Sequence, residues 1–347
     1  MMFASHRYRY IRDPNPFILA LSSDKEIGEI RIRPFLAALL ARGVISGFQL
    51  ADRDMVSMGW HKDFSFTHIW CHRNVSTAQH RFLRKHAEAP IIYDIDDLLL
   101  APPDFVKARP RNMRRIQWCL DHAHTITTST ETLRSHLLNQ VASPKPIITL
   151  KNGHAGFARS PQPQIRKQVV WTSGDHPFVL RNAPGFMDGL ADVVNRNDYE
   201  MILIGRFEPD HIASFKRVRL IRRIDFNSYR EALRLFDGAI ALAPLPAGLK
   251  PKNQTFFDAK SDIKLLDYLS SGLVPVCTNS PPYTRSELYI PELGAEDADD
   301  LLKRLESCIQ DHAGWLARID SKIHATGILD QRRFDRLSQE LDRIFIA

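Results

Sequence analysis

Short apolar runs alternate along this chain with amphipathic stretches of helical period. The runs at 17–22, 48–51, 68–72, 91–95, 125–128 and 147–150 read as buried strands. Between them, 30–42, 75–88, 112–123 and 131–140 carry apolar residues at helical spacing and predict helices, the first of them stopped by Gly43. Strands alternating with helices of this length argue for a parallel sheet with helices on both faces. Around 152–168 the periodicity gives way to glycines and prolines, as in a linker. The alternation then restarts, with strands expected at 169–172, 201–204, 239–243 and 273–277 and helices at 179–195, 229–236 and 261–271. From 297 to 346 the pattern is almost all helical, and 332–345 is strongly amphipathic. The expected fold class is α/β, with two doubly wound Rossmann-like domains facing a central cleft. The expected boundaries are 1–155, a linker over 156–168, a second domain over 169–325, and a C-terminal helix over 326–347 packing back towards the first domain.

A length of 347 residues gives each of two domains enough chain for its own core. The formal charge of +7 concentrates at 6–12, 107–115 and 216–223, which favours phosphate-bearing partners: a nucleotide, a lipid phosphate, an anionic membrane surface or nucleic acid. Nucleic acid is set aside, because no basic motif is interleaved with aromatics. Cys71, Cys119, Cys277 and Cys308 lie far apart without metal-ligand spacing, so free thiols in a reducing compartment are expected. The stretch 17–21 is too short for a secretory h-region, and the longest apolar stretch, 238–249, is interrupted by two prolines. A cytoplasmic protein is expected, with a peripheral seat at the inner face of a membrane left open.

Several chemistries lack their motifs. There is no G-x-G-x-x-G after a first strand, no G-x-x-x-x-G-K-[ST] and no G-x-S-x-G, which argues against a dinucleotide dehydrogenase, a P-loop NTPase and an α/β-hydrolase. His72, His122 and His124 have no ligand partners at metal spacing and read as structural. Asp94-Ile95-Asp96-Asp97 admits three readings: a hard-cation site, a strand-end turn, or carboxylates that orient a sugar hydroxyl of an acceptor. Arg73-Asn74 is the neighbouring polar pair. In the second half, Thr172-Ser173-Gly174-Asp175 closes a strand with small residues whose amides suit an anion, or a plain turn. Arg206, after Gly205, is either a phosphate contact or a surface arginine. The segment 243–253 reads as a loop able to close over a ligand.

The stretch 256–285 organises these candidates. Ile263, Leu266 and Leu269 form an apolar stripe, and Lys260, Lys264, Asp267 and Ser271 share the opposite face of the expected helix. Two ammonium groups and a carboxylate there suit a ligand bearing phosphates and hydroxyls; the alternative is a solvated face. Lysines in a first turn oppose the macrodipole, a cost that Asp258 and Asp262 offset locally. Because this helix follows a strand through a long loop, its N-terminus is expected at the cleft, where doubly wound folds bind ligands.

Taken together, Ala259-Lys260-Ser261-Asp262-Ile263-Lys264-Leu265-Leu266-Asp267-Tyr268 with Ser271-Gly272-Leu273-Val274-Pro275-Val276, followed by Pro281-Pro282-Tyr283, resembles the donor-site segment of retaining GT-B glycosyltransferases of the family 4-like group. Tyr93-Asp94-Ile95-Asp96-Asp97-Leu98, Thr128-Ser129-Thr130-Glu131-Thr132-Leu133 and Lys151-Asn152-Gly153 are similar to segments of its amino-terminal domain. The resemblance implies a nucleotide-diphosphate-sugar as co-substrate, no further cofactor and no catalytic metal. It also implies a glycan or lipid-linked acceptor and a role in cell-surface polysaccharide assembly. The resemblance places the ribose hydroxyls on Asp267. Combined with the readings above, the expected roles are catalysis by Lys260, Lys264 and Arg206, donor binding by Asp267, Lys260, Ser261, Lys264, Ser173 and Gly174, and the acceptor side by Arg73, Asp94, Asp96 and Asp97. Asp267 stands where the family carries glutamate, and the family's Arg/Lys pair is absent at 172–180. A donor-site-degenerate module that binds a nucleotide or a protein partner without catalysis is the alternative.

Overall fold

The structure is a computed structural model that describes residues 8–22, 25–52, 64–107, 109–156, 164–173, 176–222, 224, 226–246 and 248–345. The chain divides into two compact units. One comprises Met1–Ala155, Ala259–Ser261 and Arg333–Ala347; the other comprises Gly156–Asp258 and Asp262–Arg332.

The first unit contains strands β1 (Tyr8–Tyr10), β2 (Phe17–Ser22), β3 (Gly47–Ala51), β4 (Phe64–Phe66), β5 (His68–His72), β6 (Ile91–Ile95), β7 (Thr125–Thr128) and β8 (Ile147–Thr149). Six of them form a parallel sheet in the order β3-β2-β5-β6-β7-β8, and β1 pairs with β4 in a separate parallel ribbon. Ile18 pairs with His68, and Ile92 with Thr125. The central strands are buried on both faces, which is why they appear in the sequence as unbroken apolar runs. The sheet order reverses between β2 and β5, so polar groups at the carboxyl ends of these strands sit at the switch point of a doubly wound fold.

The helix expected over 30–42 is two helices, Lys25–Arg31 and Arg33–Ala41. Pro34 has no N–H to continue a helix but suits the first turn of a new one. The second helix lays Phe35, Leu36 and Leu39 against Ile18, Trp70 and Ile92. Phe334, Leu341 and Phe345 from the end of the chain join the same core, with Phe35 edge-on to Phe334 at 5.0 Å. The single terminal helix expected there is broken into Phe334–Leu337, a 3-10 turn over Ser338–Leu341, and Asp342–Phe345. The Ser338 hydroxyl donates to the Asp335 carbonyl at 3.0 Å, a local bond that competes with the helical ladder.

The second unit contains β9 (Gln168–Ser173), β10 (Glu200–Gly205), β11 (Val218–Ile221), β12 (Ile240–Ala243), β13 (Val274–Thr278) and β14 (Gly294–Ala295). Their order is β11-β10-β9-β12-β13-β14, all parallel, with the switch point between β9 and β12. Trp171 of β9 is buried beneath Phe186 and Phe207. The helix expected over 179–195 is interrupted by Pro184-Gly185, and Gly185 at φ 86° starts the helix Phe186–Arg196 anew. The segment read as a loop over 243–253 carries the start of the helix Pro251–Asp258. Here too proline occupies a first turn rather than breaking a helix. The edge strand β11 gave no sequence signal because none of its residues is buried: Arg219 is exposed and the other three are half-buried.

Candidate active site

In the second unit, the carboxyl ends of β9 and β12 are tied together by hydroxyls. The Tyr268 hydroxyl donates to the Leu242 carbonyl at 3.0 Å and accepts from the Thr172 amide at 3.2 Å. The Thr172 hydroxyl lies 3.0 Å from both the Tyr268 and the Tyr229 hydroxyls. Burial pushes Tyr268 up to about 12, with the Asp267 charge adding to it and the bonds from Thr172 opposing it, so the phenol stays neutral. Burial likewise raises Tyr229, with help from Asp267 and Tyr268.

Lys264 reaches this knot from the first turn of the helix Ile263–Leu269, donating to the Thr172 carbonyl and lying 3.4 Å from its hydroxyl. One turn on, Asp267 accepts from Arg230 Nε at 2.9 Å, and little of either side chain is exposed. The helix is held at its start by a buried cation. Arg332, 2 % exposed, donates to both Asp262 oxygens at 2.9 Å and to Glu287 at 2.9 Å. Burial alone would favour neutral Arg332, but Asp262 and Glu287 more than restore its charge.

These facts correct the expected helix. It runs over Ile263–Leu269 rather than 261–271, and Asp267 and Ser271 are buried. The face read as exposed packs against the helix Phe226–Arg234, which carries Tyr229 and Arg230. Lys260 and Ser261 precede the helix and belong to the first unit, where Ser261 Oγ accepts from Asn152 Nδ2 at 2.8 Å. Ser173 closes β9 opposite Gly205 of β10, and the exposed Arg206 follows that pair. Gly174 lies outside the described residues.

The acceptor-side candidates of the first unit gather at the ends of β5 and β6. Asp94 is fully buried; Arg31 grips its two oxygens at 3.1 and 3.2 Å, and the Thr127 hydroxyl donates to it at 2.6 Å. Arg31 also donates to Asn152 Oδ1 at 3.1 Å. Arg73 adopts the left-handed region at φ 52°, a strained choice for a non-glycine residue. Its carbonyl accepts from the Tyr93 hydroxyl, and its guanidinium meets Asp96 at 3.2 Å and Asp97 at 2.6 Å. Burial would raise Asp96, but Arg73, then His72 and Arg31, hold it well below the usual carboxylate range. Buried His72 places Nε2 3.5 Å from Asp94 and 3.6 Å from Asp96. Arg73, Asp96 and Asp97 keep about a fifth of their side-chain surface open. Among the described residues no group of three or more His, Cys, Asp or Glu is arranged to hold a metal ion. The carboxylates are paired with arginines, Asp94 with Arg31 and both Asp96 and Asp97 with Arg73.

Helical spacing in the sequence marks Lys264 and Asp267. Arg230, Tyr229, Arg31 and Arg332 carry no local signal and went unmarked, and Thr172, Tyr268 and Asn152 stood there only as motif letters.

No protein-family model matches the chain, and no curated protein does. Solved structures match it in fold. Sucrose-phosphate synthase from Thermosynechococcus elongatus aligns with a TM-score of 0.62 at 10% identity, over 96% of this chain and 98% of that one. T4 phage BGT in complex with UDP-glucose gives 0.56 at 8%, over 95% and 99%. A point mutant of S. aureus TarM, solved with fondaparinux, alpha-GlcNAc-glycerol and UDP, gives 0.54 at 12% over 82% of this chain. Of TarM the chain spans about half, 55%. At these identities the likeness is one of fold, and the fold is GT-B: two doubly wound, Rossmann-like α/β domains.

Proposed function

We propose that this chain is a glycosyltransferase that moves a sugar from a nucleotide-diphosphate-sugar to a glycan, lipid-linked or other glycoconjugate acceptor in cell-surface polysaccharide assembly. The observation that carries this reading is Lys264 at the switch point of the second unit, its ammonium seated on Thr172 where β9 ends. Departure of the nucleoside diphosphate builds negative charge on its distal phosphate as the sugar–oxygen bond breaks. A fixed ammonium stabilises that charge as it develops. In this reading Asp267 accepts from the ribose hydroxyls, the amides of Ser173 and Gly174 approach the diphosphate, and Lys260, Ser261 and Arg206 complete the donor contacts. Arg73, Asp94, Asp96 and Asp97 serve the acceptor, with Asp94 acting through the Arg31 network that positions its neighbours. Retention of the anomeric configuration is inherited from the family 4-like resemblance. The UDP and UDP-glucose held by the TarM and BGT structures make uridine donors the first to try.

The test is turnover of a panel of nucleotide-sugars by wild type and Lys264→Ala, with melting curves alongside. Expected is donor consumption by wild type and a loss of about 100-fold or more in the variant, with both proteins melting together. Near-equal turnover would remove Lys264 from the site. Nucleotide binding without turnover by wild type would favour the non-catalytic module instead.

A further inference from the structure

In the first unit the helices Thr77–Lys85 and Pro110–His122 pack side by side. Arg115 donates to the Val75 carbonyl at 3.2 Å and to the Thr77 hydroxyl at 2.7 Å, and His80 meets Trp118 edge-on at 5.0 Å. Trp118 is half-buried and stacks on His122 at 4.3 Å. Arg81, Arg84, Lys85, Arg109, Arg111 and Arg114 are all exposed on these two helices and their flank. None of the six forms an ion pair among the described residues. Other arginines of this unit do: Arg31 with Asp94, Arg42 with Asp342, Arg73 with Asp96 and Asp97. Two acids that follow close by are engaged, since Asp121 accepts from Gln117 and Glu88 lies 3.8 Å from His86.

On the helix Pro110–His122 the placement runs against local electrostatics, whereas Arg84 and Lys85 close the other helix at the end where the dipole suits cations. The helix Pro110–His122 has no acid in its first turn and instead carries Arg111 there, with Arg109 at its cap, at the positive end of the macrodipole. Like charges crowd the seam as well. His80 is held below its ordinary value by burial and then by Arg115, Arg84 and His122.

We infer that this two-helix face docks on an anionic lipid bilayer, its arginines and lysine on headgroup phosphates and Trp118 at the interface. A phosphate layer satisfies many separated cations at once, and a half-buried indole with an apolar body and a polar edge suits the headgroup boundary. A nucleic-acid partner fits less well, because Trp118 already has His122 stacked on its ring and His80 against it edge-on, which leaves a poor platform for a base. The inference goes beyond the proposed transferase activity and rests on separate observations.

The test is co-sedimentation of the full chain with phosphatidylcholine vesicles, with and without phosphatidylglycerol, at low and high salt. Wild type is expected to sediment only with the anionic vesicles and to be released by salt. Arg84→Gln/Arg111→Gln/Arg114→Gln should weaken partitioning about 100-fold, at roughly fivefold per cation removed, with an unchanged melting curve. Lys216→Gln/Arg222→Gln/Lys303→Gln, three exposed cations of the second unit, should leave it within about twofold. Binding to neutral vesicles as well, equal loss in both triple variants, or binding to RNA in place of lipid would each overturn the inference.

Discussion

The two units share one architecture, yet the polar groups at their switch points are built on opposite plans. In the first, two arginines and a histidine face three carboxylates, with Asp94 and Arg31 sealed inside. In the second, neutral hydroxyls from Thr172, Tyr229 and Tyr268 close the strand ends, and two cations, Lys264 and Arg230, face one carboxylate, Asp267. Carboxylates outnumber arginines three to two in the first cluster, and cations outnumber carboxylates two to one in the second. That contrast matches the division of labour proposed above, in which hydroxyl-bearing acceptors meet carboxylates and a diphosphate meets cations. It also teaches that an ionic network paired largely within itself is foremost a structural device. A buried ion pair gives weak net stabilisation, but removing one partner strands the other.

The largest effect should therefore come from the first unit. Arg31→Leu leaves the Asp94 carboxylate buried without its bidentate partner, and should cost about 3–5 kcal/mol in denaturant unfolding of that unit. A loss below about 1 kcal/mol would mean that the network is not what holds the ends of β5 and β6. The second unit's counterpart is Tyr268→Phe, which deprives the Leu242 carbonyl and the Thr172 amide of their partner at a cost of about 1–3 kcal/mol at neutral pH.

The two clusters should also respond to opposite ends of the pH scale. Tyr268 is raised in the folded state to about 12. Its contribution is then complete below the unfolded value near 10 and is lost as pH climbs from there through 12, on the order of 2–3 kcal/mol. Tyr268→Phe should abolish that alkaline loss, as read by unfolding at successive pH values. Asp96 is depressed in the folded state, so its contribution is present above the ordinary carboxylate value and is lost as pH falls below it. The smallest effect follows. Arg73→Gln should cost about 1 kcal/mol at about pH 6, a modest figure because the pair is partly open to solvent, and the deficit should shrink below about pH 4. A deficit that stays constant down to low pH would show that Arg73 acts through packing rather than charge.

Much of the fold was legible in the sequence. Strands at 17–22, 68–72, 91–95 and 125–128 appear at those bounds, because strands buried on both faces leave no choice but a continuous apolar run. The edge strands Tyr8–Tyr10, Phe64–Phe66 and Val218–Ile221 escaped notice, since an element with one wet face needs few apolar residues. Pro34, Pro184 and Pro251 mark helix starts that periodicity alone had smoothed over or read as loop.

The site divides along the same line. Lys264 and Asp267 are one turn apart, so helical spacing alone puts them on one face. Chain order likewise puts the polar groups at strand ends, because parallel strands with crossover helices bring every carboxyl end to one edge of a sheet. What only the tertiary structure decided is who neutralises whom. Arg31 lies 63 residues from Asp94 and Arg230 lies 37 from Asp267. Charges at such separations meet because two helices pack on a sheet, and no periodicity records that meeting. The sequence determined which side chains reach the switch points; the packed fold determined their protonation, their partners and how much water they still see.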